Sequence, residues 1–545
     1  MSLNLNKISL RCQQGFTTVT LMGVLMVGGA MVAAGFAAVD PDIGLSKKDQ
    51  DYKQTYAASE AGLNYYLYHL GQDNNLYLRC DNVPKPNATE NNPITQKWTG
   101  APLDSYFRNI PGEKAQYNIE LLPAKGYTSC QQNKQETMID PSTGSFKVRA
   151  NGRVRQADGT YTKRSVIATL RRKSFIDFLY FTNYETSDPA TYSTPSSQDW
   201  ASKNCVAYRP ARSTSCSEIR FIDNDAVKGP FHSNDDILTC DRPDFGRTKN
   251  DAVELGGKDP GWTRDCSNVT PNFLGTRVWP GGTLPMPPTN KELLAIADPA
   301  YRFNGRTTIV LNGASMTITN AAFGTKSMAL PANGVIYVGS LGCPTGYSRK
   351  QEYKNPASCG DVYVQGKYGK DLTIAAANDI IVTEDVTRDL TATNGSGLLM
   401  GLVADNFVRV YHPVNNWNGS ATDCDNSTDA ATGSSSGKFN PGSGAGWLDG
   451  PQTITIQSAI LALNHSFIVD NYYCGNPLGT LFVDGAIAQQ FRGPVGTGSS
   501  SSISSGYLKN YSYNDRLRYR EPPFFIDPVQ SSWRVARQTE QVPAK

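Results

Sequence analysis

His232 stands three and four residues before Asp235 and Asp236, with Asp223 and Asp225 a short way upstream. This is the best grouping in the chain for passing protons to a substrate, because an imidazole beside carboxylates is the minimum equipment of general acid–base catalysis. Turn chemistry explains the same letters more simply, since Asn and Asp satisfy backbone groups at tight bends. His412 precedes Pro413 and His465 follows Asn464, and neither has a matched nucleophile. The chain contains no G-x-S-x-G, no H-E-x-x-H and no phosphate loop, so no catalytic residue is assigned. Asp423, Asp425, Ser427 and Asp429 alternate as calcium ligands would, but the sixth-position Gly and closing Glu of an EF-hand loop are missing. Neither a metal nor a cofactor is expected.

Cysteine is the other chemistry-bearing residue. The 11 cysteines include no C-x-x-C pair and do not cluster with the 4 histidines, which argues against zinc. Cys12 lies before an apolar run, and all the others follow it: Cys80, Cys130, Cys205, Cys216, Cys240, Cys266, Cys343, Cys359, Cys424 and Cys474. That even set suits disulfides in an oxidising compartment, each worth about 2–4 kcal/mol. Sequential pairing (Cys80–Cys130, Cys205–Cys216, Cys240–Cys266, Cys343–Cys359, Cys424–Cys474) is the simplest arrangement, although spacing leaves connectivity open.

The elements that must carry these residues begin with composition. A chain of 545 residues holds several domains. Its 52 Lys+Arg against 49 Asp+Glu leave a net charge of +3, which excludes a strongly basic nucleic-acid binder. Abundant Gly, Pro and Tyr point to a turn-rich, β-rich, extracytoplasmic protein. Phe16 to Val39 carries no charge and, as a helix, is long enough to span a bilayer. Lys7 and Arg11 precede it and Asp40 and Asp42 follow, so the positive-inside rule predicts a single pass with the bulk of the chain outside. A secretory signal cut near Ala37 or Ala38 is the alternative, although such signals usually have an apolar core of only about 7–15 residues. Beyond Asp40-Pro41, where a kink or restart is expected, Leu45, Tyr52, Tyr56, Ser59, Leu63, Tyr66 and Leu70 form a helical stripe.

From residue 75 to 173 alternation predicts strands, notably Ser145 to Arg155 around Asn151-Gly152 and Thr162 to Leu170. The cations Arg153, Arg155, Lys163, Arg164, Arg171, Arg172 and Lys173 read as solvated strand faces, and nucleic acid is an unlikely partner. Further on, three stretches share one frame: Ile374 to Val382, Leu402 to Val410 and Ile460 to Ile468, with Asn378, Asn406 and Asn464 in register. In a parallel β-solenoid such an Asn ladder tolerates left-handed geometry and bonds the next coil. Ile309 to Gly313, Asn333 to Val338 and Leu481 to Ile487 are further candidate coils. A β-sandwich with coincidental Asn turns stays open as the alternative.

Gln13-Gln14-Gly15-Phe16-Thr17-Thr18-Val19-Thr20 resembles the class III leader of type IV pilins and type II secretion pseudopilins. The resemblance implies cleavage after Gly15 by a prepilin peptidase and N-methylation of Phe16. At the fifth mature position most members carry a Glu, thought to pair with a neighbour's terminal amine; Thr20 stands there instead, which implies a tip or minor role. Tyr56 to Tyr65, with Ala57-Ala58-Ser59-Glu60-Ala61-Gly62 at its centre, resembles the helix of a PilX-type minor-pilin family of pilus-assembly proteins. Gly229 to Leu238 resembles a coil that follows the pilin part in large minor-pilin-like envelope proteins, and 360 to 490 is similar to β-helical domains of bacterial surface proteins.

The expected fold is therefore α+β: a long N-terminal transmembrane and amphipathic helix, a small antiparallel β head, and a large mainly-β parallel solenoid. The expected divisions are a leader (1–15), the pilin helix (16–74), an α/β head (75–173), the solenoid (174–500) and a Tyr- and Arg-rich tail (501–545) packed on the body or a partner. The expected function is that of a non-enzymatic minor subunit of a type IV pilus or type II secretion-type filament, acting in assembly priming, tip display or adhesion. Its implied partners are other pilins or pseudopilins, the prepilin peptidase, the inner-membrane assembly platform and the lipid bilayer, with an undefined surface ligand. The implied location is the bacterial cytoplasmic membrane and then the cell surface. A membrane-anchored β-helix carbohydrate-active enzyme and an anchored scaffold outside any filament are the alternatives.

Overall fold

The computed structural model describes residues 18–73, 75–80, 107–132, 134, 137–140, 143–223, 225–266, 268–344, 346–349, 351, 353, 355–412, 453–474, 477–498, 503–529 and 533–544. A helix, α1 (Thr18–Gln72), opens the described chain and runs through Pro41 without the expected break. In its second half Thr55, Ala58, Ser59, Leu63, Tyr66 and Leu70 are buried at steps of three and four, which is one face of a 3.6-residue helix. That face lies on an antiparallel sheet of β1 (Arg108–Asn109), β2 (Ala115–Leu122), β3 (Ser145–Arg155) and β4 (Tyr161–Arg172), in that order. The fifth strand comes from the other end of the chain: Trp533–Gln541 pairs antiparallel with β4. Phe146, Val148, Ala150, Ala168, Leu170 and Trp533 meet Leu63, Tyr66 and Leu70 in one core. Close approach depends on Gly152, where a Cβ would stand 2.1 Å from the carbonyl oxygen of Thr55.

After β4 the chain enters a large β body. One ladder of parallel strands sets Ile336, Ile374, Leu402, Ile460, Ile487, Tyr180, Phe231 and Val253 side by side in register. Stacked apolar side chains of this kind supply the hydrophobic core, at roughly 1.5–3 kcal/mol for each large buried residue. The order departs from the chain: Pro477–Arg492 lies between Ala459–Ala462 and Tyr180–Ser187, so the first strands after the head stack onto a late one. A second ladder runs from Thr307–Gly313 through Val362–Tyr368 and Ile380–Arg388 to Pro477–Arg492 and Ile503–Tyr513.

These findings correct the expected fold class. Among the described residues the fold is mostly β, with far more strand than helix, rather than α+β. The sheets mix parallel and antiparallel pairing and are no clear solenoid: Thr307–Gly313, Ser315–Asn320 and Gly324–Ala329 form an antiparallel meander, and Gly496–Gly498 pairs antiparallel with Ile503–Tyr513. The physical reason is local. Asn312 faces Ser315 across a two-residue loop in which Gly313 has φ +64°, so the Asn-Gly pair read as a coil corner folds the strand back on itself as a hairpin. Nor is the expected membrane-spanning helix found: among the described residues no helix is long and apolar enough to cross a membrane.

Candidate functional site

In the first half of α1 the described side chains are exposed. Met22, Leu25, Met26, Val27 and Met31 are all more than half exposed. Their spacing places them around the helix rather than along one stripe, and more than four turns further on Lys47, Lys48, Asp49 and Gln50 are exposed and polar. Exposed apolar side chains favour association, because removing each from water is worth about 1.5–3 kcal/mol. Gly15 and Phe16 lie outside the described residues, and Thr20 falls within α1 with its side chain undescribed.

The structure scatters the sequence-derived acid–base cluster into structural contacts. His232 is fully buried because it sits in the parallel ladder, between Phe181 on one side and Glu254 on the other. Its Nδ1 lies 2.7 Å from Glu254 Oε2 and its Nε2 2.8 Å from Asn234 Oδ1, while the ring stacks on Phe181. Burial works to raise the Glu254 carboxyl, but the hydrogen bond and charge of His232, together with Lys173 2.6 Å away, hold it below the usual carboxylate range. Asp235 pairs with Arg212 and accepts backbone N–H bonds from Glu185 (3.0 Å) and Arg209 (2.9 Å). Asp225 pairs with Lys509 at 2.8 Å, and Asp223 is exposed and joins no cluster. The partners of the imidazole, Glu254, Asn234 and Phe181, all belong to the fold. His465 Nδ1 contacts both carboxylate oxygens of Asp188 at 3.0 Å, and buried His412 contacts the Asp470 carbonyl.

Of the three ladder asparagines, two stack directly. Asn406 Nδ2 donates to Asn378 Oδ1 over 2.7 Å, and Asn378 in turn donates to Asp361. Asn464 joins through the backbone instead, donating to the Asp405 carbonyl at 2.7 Å. Residues with positive φ other than glycine include Asn394 and Asn471, so the left-handed corners fall elsewhere than at the three ladder positions. Disulfides link Cys80 to Cys130, Cys205 to Cys216, Cys240 to Cys266 and Cys343 to Cys359. Cys424 and the alternating set Asp423, Asp425, Ser427 and Asp429 lie outside the described residues. Cys240, Asp241 and Cys266 come together, but both sulfurs are bonded to each other, which leaves them no thiolate for a metal.

Several of the basic residues near β3 and β4 are held by the fold, while Arg155 and Lys163 are exposed. Arg153 is sandwiched between Phe107 and Tyr161, Arg164 pairs with Glu540, Arg172 lies over Trp533, and Arg171 is buried. A buried centre that sequence reasoning missed surrounds Arg409, whose guanidinium reaches Asp379 at 2.9 Å, Asp470 at 2.8 Å and Gln351. The available signal was a charge in the middle of the apolar strand Val408-Arg409-Val410. An uncompensated guanidinium there would be prohibitively costly, so carboxylate partners had to exist.

No family model and no curated protein matches the chain. Among solved structures it is similar to the competence-associated pilin ComZ from Thermus thermophilus, at 12% sequence identity and a TM-score of 0.27, over 90% of this chain and 98% of that one. At that level neither fold nor function transfers to this chain.

Proposed function

We propose that this chain is a minor, pilin-like structural subunit of a type IV pilus or type II secretion-type filament, which docks among sister subunits through the first half of α1 and displays the β body outward. The single observation that carries this reading is the arrangement of α1: exposed apolar side chains at Met22, Leu25, Met26, Val27 and Met31 on a helix whose second half is built into the head sheet. The leader-like run Gln13 to Thr20 supports it from the sequence side, and Thr20 in place of Glu favours a place at the tip. In this reading the partners are other pilins or pseudopilins, the prepilin peptidase and the inner-membrane assembly platform. The protein is held at the cytoplasmic membrane before assembly and reaches the cell surface with the filament. It carries no chemistry of its own, a role supported by the burial of His232. Mass spectrometry of the protein purified from its native envelope is the test. The expected mature N-terminus is N-methylated Phe16; an intact leader, or a start near Val39, would remove the docking role.

A further inference from the structure

A cleft of about 310 Å³ opens where the head meets the body. Four stretches remote in sequence wall it: the turn that follows β4, the strand bearing Glu254, the turn before Tyr519 and the start of the C-terminal strand. Its floor is apolar, with Phe178 and Pro230 both buried. Its walls alternate charge. Lys173 Nζ lies 2.6 Å from Glu254 Oε2, Arg534 Nη2 lies 2.6 Å from Asp177 Oδ2, and Arg518 Nη2 lies 2.6 Å from Asp251 Oδ1. Each pairing steadies a cation without consuming it. The Arg534 side chain remains 50% exposed and that of Arg518 31%, so both guanidinium groups keep N–H groups for a further acceptor. At the rim Tyr519 is 72% exposed.

A ligand for this space needs an apolar face, hydroxyls that both donate and accept, and one negative group. The apolar face answers Tyr519, the hydroxyls answer Asp177 and Glu254, and the negative group answers cations that outnumber the lining carboxylates three to two. We propose that the cleft binds an acidic saccharide, a hexuronate unit of a surface polysaccharide, with its ring against Tyr519 and its carboxylate toward Arg518 and Arg534. Inorganic phosphate offers no apolar face to Tyr519. A nucleic-acid strand would bring repeated negative charge against Asp177 and Glu254. The inference concerns a different surface from the helix and does not rest on the filament reading.

Saturation-transfer NMR and calorimetry on the purified full chain test it, with methyl glucuronide, methyl glucoside, inorganic phosphate and a short single-stranded oligonucleotide as probes. Methyl glucuronide is expected to bind, and methyl glucoside to bind about tenfold more weakly for want of the charge-assisted bond. Tyr519→Ala and Arg534→Gln should each weaken glucuronide binding by about tenfold, while the thermal midpoint stays unchanged because both side chains are at least half exposed. Binding of no saccharide, tighter binding of phosphate or oligonucleotide than of glucuronide, or glucuronide binding that both variants leave intact would each overturn the assignment.

Discussion

Asp236 accepts a hydrogen bond from the Thr263 hydroxyl at 2.7 Å through Oδ2, while its buried Oδ1 has no partner among the described residues. Burial, opposed in part by Thr263 and Arg209, pushes its pKa up to about 6. In the unfolded chain the value is about 3.9, so the folded protein holds this proton more tightly. Stability from this group is therefore fully present below about pH 4 and is lost as pH rises through about 6. Asp527 and Asp379 are also raised to about 6, by burial first, and add slopes of the same sign, so the readout has to be a difference between proteins. Asp236→Asn keeps an acceptor for Thr263 and removes the charge. The variant is expected to melt at or above the parent temperature near pH 7.5 and to show a flatter dependence between about pH 4 and 6. A lower midpoint at pH 7.5 would mean that Arg209 and Arg212 need the ionised carboxylate.

At the scale of elements, α1 and the head sheet meet over glycine. The Cβ of any other residue at position 152 would press on the Thr55 carbonyl oxygen at 2.1 Å and the Ser59 amide nitrogen at 2.8 Å, both helix backbone that cannot rotate away. Gly152→Val is expected to lift the helix from β3 and to cost the head about 3 kcal/mol, read as a lower denaturant midpoint. Unchanged stability would mean that the contact is looser than the structure has it. The helical stripe was legible from Ser59, Leu63, Tyr66 and Leu70, all of which are buried, because an amphipathic period is local information. Its upper members were not equally so: Tyr52 is exposed and Tyr56 half-buried, with Arg164 of β4 lying over the Tyr52 ring at 3.3 Å. Asn312-Gly313 shows the opposite limit. The same two letters suit a coil corner and a hairpin, and the partner strand Ser315–Asn320 decides between them.

For the whole molecule, the chain closes on itself. Trp533, near the C-terminus, packs edge-on against both Phe146 and Tyr77 of the head, at ring distances of 4.8 Å and 5.4 Å. Arg171 of β4 donates to the carbonyls of Leu517 and Arg518 at 3.0 Å, and Arg247 of the body pairs with Asp515 at 2.8 Å. The head is thus completed only by a segment that arrives after the entire body. Removal of residues 530–545 is expected to leave the body folded while the head loses its edge strand and Trp533, a loss of about 3–5 kcal/mol from the aromatic ring alone. Limited proteolysis followed by mass spectrometry should then show early cuts in α1 and β4 and none in 335–404. A truncated chain that resists protease in the head as the parent does would show that the C-terminal strand is dispensable.

What the letters determined by themselves were properties carried by near neighbours: the apolar start of the chain, the face of α1, the alternation of β3 and β4, and the shared frame of Ile374, Leu402 and Ile460, which does pair in register. What only the tertiary structure decided were matters of distant partnership. His232 became a ladder residue flanked by Phe181 and Glu254; Arg409 found Asp379 and Asp470; Pro477–Arg492 seated itself beside Tyr180–Ser187; and the last strand joined the first sheet. Periodicity records how a segment meets water and core. Which remote segment fills the other side of that core is set by packing over the whole chain, and no local spacing encodes it.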